Sequence, residues 1–99
     1  MPDTSEAVKT LDFAKVEALR SHMLLNSTQM AKVLGVSRVT YSKWLKGNPI
    51  RKSNDTKARE GLRKLFTILH VHQWPQREVV GMSPDQRFKT LLEFMAEDE

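Results

Sequence analysis

The 99-residue chain contains no cysteine, which excludes a disulfide framework, a cysteine-ligated zinc or iron–sulfur centre and a thiol nucleophile. Apolar residues make up 39% and charged residues 28%; this is the balance of one globular domain that buries its own core, with no membrane span and a polar start unlike a signal peptide. The expectation is a cytoplasmic protein. Its net charge of +4 is unevenly laid out, because residues 32–64 carry ten Lys or Arg against Asp55 and Glu60 alone, whereas residues 83–99 sum to −3. The middle third attracts polyanions and the acidic end repels them.

Residues 1–10 follow no period and read as a flexible N-terminal arm. From Leu11 the pattern is helical. Asp12 is a candidate cap for a helix near 12–24, in which Phe13, Val16, Leu19, Arg20 and Met23 recur at three-to-four spacing. Asn26 and Gln29 form a capping-box pair for a second helix running to about Leu34, with Met30, Ala31 and Leu34 on its core side and Gly35 ending it in the left-handed conformation. Ser37 then caps a short third helix through Lys46, closed by Gly47. Tyr41, Trp44 and Leu45 share its inner face, while Arg38, Val39, Ser42, Lys43 and Lys46 lie largely on the outer one.

Asn48-Pro49 breaks the chain, and the loop to Asp55 holds Arg51 and Lys52. A fourth helix over roughly 55–71 places Ala58, Leu62, Leu65, Phe66 and Leu69 on one stripe. Pro75, after Trp74, opens a short helix through Val79 and Val80, with a strand as the alternative. Ser83-Pro84 with Gln86 then starts a last helix that repeats Phe88, Leu91, Leu92 and Met95. Strand signals are nearly absent, so the expected fold class is all-α.

Two short helices separated by Gly35-Val36-Ser37 are the informative element, because so tight a turn fixes their crossing and leaves the polar face of the second helix outward. A helix presented that way fits the major groove of duplex DNA. The string from Asn26 to Gly47 resembles the helix-turn-helix of the Cro and phage-repressor (Xre-type) family. The resemblance rests on Ala31 where the helices touch, Gly35 in the turn, Val36 beneath it, and Tyr41 and Trp44 at buried positions. It implies a lambda-repressor-like bundle of about five helices, with a DNA-binding domain over 11–72 and a C-terminal helical extension over 73–99.

Residue roles follow from the same resemblance. The helix 37–46 looks like the recognition helix, with Ser37, Arg38, Val39, Thr40, Ser42 and Lys43 as the candidates for reading bases. Arg38 and Lys43 suit guanine O6 and N7, and Val39 suits a thymine methyl. Asn26 and Ser27, with their free backbone N–H groups, are expected to meet one phosphate, and Lys46, Asn48, Arg51 and Lys52 to meet the next strand segment. One departure stands out: Arg20 sits where many family members pair an arginine with a glutamate late in the third helix, and the corresponding residue here is Leu45. Arg20 is left to pair with Glu17 or to face a phosphate.

One such module touches few base pairs, so the expected partner is a palindromic operator bound by a homodimer, with half-sites near one helical turn apart. Val79, Val80, Met82, Phe88, Leu92, Phe94 and Met95 exceed what a small domain needs to cover itself and are the candidate dimer contact. The other reading of these residues is that the tail packs on the first and fourth helices. A dimeric repressor of phage, plasmid or mobile-element type is the leading functional expectation. The alternatives are a protein-binding antitoxin or adaptor and, since Tyr41-Ser42-Lys43-Trp44 also resembles phage-encoded activators, a transcription activator. No cofactor, metal or catalytic activity is expected: His70 and His72 are two apart in a region that reads as a helix end, and no serine sits in a glycine elbow.

Overall fold

The structure, a computed structural model, describes residues 11–97; the expected N-terminal arm lies outside them. Among the described residues the chain is all-α, with six helices and no strand. They are α1 (Phe13–His22), α2 (Ser27–Val33), α3 (Arg38–Leu45), α4 (Lys52–Val71), α5 (Arg77–Val80) and α6 (Pro84–Glu97). None is long and apolar enough to cross a membrane.

The first three helices begin at the caps their sequences supply. Asp12 accepts from the Ala14 and Lys15 backbone N–H groups, Asn26 and Gln29 close a reciprocal capping box, and Ser37 accepts from Thr40. Gly35, at φ +77°, turns the chain from α2 into α3. α4 departs from expectation by starting at Lys52. Arg51 is already extended, and its carbonyl accepts from the Asp55 N–H at 2.8 Å, so the first turn closes around Asp55 instead of beginning there. The segment after Pro75 is the short helix α5, and it begins at Arg77 rather than at the proline.

One hydrophobic cluster runs from Val16 to Leu91 and includes residues on both sides of position 72, so the expected division at 72/73 marks no break in the core. Trp74 anchors the far side of it: the ring is 2% exposed and its indole N–H donates to the Met23 carbonyl at 2.9 Å. Arg87 ties down the same region with its guanidinium, which donates to the carbonyls of Val79 at 3.0 Å and Met82 at 2.8 Å, with longer contacts to those of Val80 and Leu24. Val79 and Phe88 are buried within this core, which removes them from the candidate dimer contact, because side chains already packed inside one chain offer nothing to a second. Two other assignments shift outward: Leu45, expected beside Trp44, is 39% exposed, and Phe66 is 48% exposed. The expected Ala58 and Leu65 are buried in α4 and Leu62 and Leu69 are half-buried against the core, and Gly61 and Ile68 join the buried stripe in place of Phe66.

Gly61 sets the distance between α4 and the end of α2. A Cβ there would lie 2.4 Å from the Val33 carbonyl oxygen, inside any permitted contact, so the backbones meet with no room for a side chain. That contact holds the turn at Gly35 against α4.

Candidate nucleic-acid interface

α3 has two chemically opposite faces. Tyr41 and Trp44 are buried, and Trp44 lies 5.9 Å from the Phe13 ring of α1. On the other side Arg38, Val39, Ser42 and Lys43 are exposed, followed by Lys46 at the C-cap. Val39 is 64% exposed, an apolar side chain held in water on an otherwise hydrophilic face. Four of the six expected base readers are therefore available together. Ser37 and Thr40 serve the helix start: the Ser37 hydroxyl accepts from the Thr40 N–H at 3.1 Å and donates to the Thr40 hydroxyl at 3.0 Å.

The expected phosphate contacts divide in the same way. Asn26 was expected to offer a free backbone N–H, but that group donates to the Gln29 side chain at 3.0 Å while the Asn26 carboxamide oxygen accepts from the Gln29 N–H at 2.8 Å. The unspent N–H groups of α2 begin at Ser27. Asn48 is exposed, but its side-chain amide is likewise engaged, donating to the Lys43 carbonyl at 3.0 Å at the end of α3. Lys46, Arg51 and Lys52 remain exposed.

Electrostatics sharpen this surface. The two acids of the basic segment are occupied on α4, Asp55 by Arg59 at 2.9 Å and Glu60 by Arg63 at 2.8 Å. Among the described residues, Lys32, Arg38, Lys43, Lys46, Arg51 and Lys52 are exposed and make no ion pair. Their field is therefore screened by solvent and salt, and no carboxylate of the described residues is ion-paired to them.

Behind α3 lies a polar contact that sequence reasoning half anticipated. Arg20 pairs with Glu17 at 3.0 Å and also donates to the Leu25 carbonyl at 2.8 Å, which decides between the two roles open to it. The Tyr41 hydroxyl donates to the other side of the same carboxylate. The helical spacing places Tyr41 on the inner face of α3 without assigning its hydroxyl a partner. The available signal was a tyrosine at an inward helical position, whose hydroxyl has to find a partner when the ring is buried. Burial, followed by the Glu17 carboxylate, pushes the Tyr41 phenol above its ordinary value, so it stays protonated and donates. For Glu17, partial burial opposes the charge, but hydrogen bonds from Arg20 and Tyr41 outweigh it and hold the carboxyl below its ordinary value of 4.5.

The sign of the resulting pH dependence follows. A carboxyl lowered by folding stabilises the native state while the unfolded chain is deprotonated, and that contribution is lost as pH falls below 4.5 and through the folded value. Urea titrations at neutral pH and at about pH 3 are expected to give a smaller acid-induced loss of stability for Glu17→Gln than for the wild type. Equal losses in both proteins would assign the acid sensitivity to other carboxyls.

No protein-family model, curated protein or solved structure matches this chain.

Proposed function

We propose that the protein is a sequence-specific binder of double-stranded DNA that regulates transcription, with a lambda-repressor-like helix-turn-helix in which α3 enters the major groove. The observation that carries the proposal is the exposed α3 face of Arg38, Val39, Ser42 and Lys43, held outward by the burial of Tyr41 and Trp44. An α-helix with its side chains is about 10–12 Å across, and the major groove of B-DNA is about 12 Å wide. Arg38 grips guanine O6 and N7 through two parallel N–H bonds, Lys43 donates to the same kind of acceptor five residues further along the helix, and Val39 covers a thymine methyl. Lys46, Arg51, Lys52 and the start of α2 at Ser27 meet phosphates and fix the register without reading sequence.

A single eight-residue helix covers too few base pairs for cellular specificity, so the active species is a homodimer on a palindromic operator, acting as a repressor. Of the expected dimer contacts, Val80 and Leu92 are exposed and Met82, Phe94 and Met95 are half-buried, so these five are the ones left to meet a partner. Whether the bound protein blocks or recruits polymerase depends on where the operator lies, so an activator would use the same face.

Selection of bound duplexes from a random pool tests the proposal. An enriched inverted repeat, bound with an affinity that falls steeply with salt, is the expected outcome. A pool without enrichment at any salt would overturn it in favour of a protein-binding module. On the selected duplex, Arg38→Ala is expected to cost about 1–3 kcal/mol and to relax preference at one base pair. Lys52→Ala is expected to weaken selected and scrambled duplexes alike and to reduce the salt slope by about one. Mobility-shift titrations of both variants on both duplexes check the pair.

A further inference from the structure

Glu17 is the point at which three parts of the bundle meet. Its carboxylate takes two contacts from the Arg20 Nε at 3.1 Å each and one from Nη2 at 3.0 Å, all from its own helix α1. The remaining guanidinium nitrogen, Nη1, holds the Leu25 carbonyl one residue before the α2 cap. The Tyr41 hydroxyl reaches the same carboxylate from the middle of α3, one turn after Arg38 and on the side of the helix away from Lys43. One carboxylate and one guanidinium therefore tie α1, the entrance to α2 and the back of α3 to each other. The hydrophobic contacts around them, such as Phe13 against Trp44, set how deeply α3 sits. They are poorly directional, whereas a hydrogen bond to a charged carboxylate fixes rotation about the helix axis.

We propose that Glu17 and Tyr41 are positioning residues for base reading: their contact fixes the roll of α3, and so the aim of Arg38 and Lys43, while contributing nothing to phosphate binding. The inference rests on the DNA-reading function above. It separates the two terms of DNA affinity, because a helix free to roll keeps its exposed charge and its salt dependence but loses the geometry of bidentate contacts.

Tyr41→Phe keeps the buried ring and deletes only the hydroxyl, and Glu17→Gln keeps an acceptor but removes the charge. Each is measured against the selected and the scrambled duplex over a range of salt, with amide hydrogen exchange followed in the free protein. For Tyr41→Phe the ratio of selected to scrambled affinity is expected to fall roughly fivefold to tenfold, with affinity for the scrambled duplex and the salt slope unchanged. Exchange across α3 is expected to speed up while α4 and α6 keep their protection. The double variant is expected to lose little more than the worse single variant, since both break one contact. A uniform loss on both duplexes, or an unchanged ratio with unchanged α3 protection, would overturn the inference and leave the DNA-binding function standing. A pool with no preferred duplex would overturn both.

Discussion

Gly61→Ala is expected to lower the unfolding free energy by about 2 kcal/mol or more, which for a chain of this size lowers the melting temperature by roughly 10 °C. Two effects oppose each other. Alanine is favoured over glycine inside a helix by about 1 kcal/mol. Against that, the new methyl would sit 2.4 Å from the Val33 carbonyl oxygen and 3.3 Å from the Leu34 Cα. Both are backbone atoms that no rotamer change can move aside, so α4 must withdraw from α2. Gly81→Ala is the matched control, since a Cβ there meets nothing within 4 Å and the backbone is at φ −84°. It is expected to be neutral or slightly stabilising. Thermal melts of the two variants decide the matter, and equal, small shifts would mean that α2 and α4 are less tightly apposed than described.

Trp74→Ala is expected to be the more damaging substitution, at about 3–5 kcal/mol. Typical domains have only about 5–15 kcal/mol in total, so this variant should populate unfolded chain well below the wild-type melting temperature. The ring is buried, meets Phe94 edge-on at 6.1 Å, and its N–H satisfies the carbonyl of Met23. Trp74→Phe divides these contributions: it keeps most of the apolar volume but orphans that carbonyl, for an expected cost of about 1–3 kcal/mol. Urea titrations check both. A phenylalanine variant as unstable as the alanine variant would place the weight on the hydrogen bond instead of the packed volume.

Local chemistry made the N-terminal half of the bundle legible. Asp12, Asn26 with Gln29, and Ser37 are side chains that cap helices wherever they occur at these spacings, and Gly35 adopts a conformation that other residues resist. The α3 face is legible for a related reason, since two large aromatics in eight residues fix which side turns inward, although Leu45 lies at the edge of that side and is exposed. Long-range packing was less visible. Helical spacing places Phe66 in the α4 stripe, but it is exposed, and the buried line runs through Gly61 and Ile68 with Leu69 half-buried beside it, because the partner backbone at Val33 comes too close for anything but hydrogen at position 61. A glycine in the middle of a helix, costing about 1 kcal/mol against alanine, was the available clue. Capping geometry also concealed where polar groups are spent: Ser37, Asn26 and Asn48 have the chemistry of DNA contacts, and each is engaged by its own backbone.

Gln29 carries an implication for how two protomers would be spaced. Besides completing the cap of α2, its amide donates to the Pro84 carbonyl at the first turn of α6, in the same body of the protein that Trp74 and Arg87 clamp. On the proposed function, a subunit joined through α6 would be coupled through this contact to the helix pair assigned to the duplex. The separation of the two half-sites would then be dictated by the fold, and operators lengthened or shortened by a single base pair would be poorly accommodated.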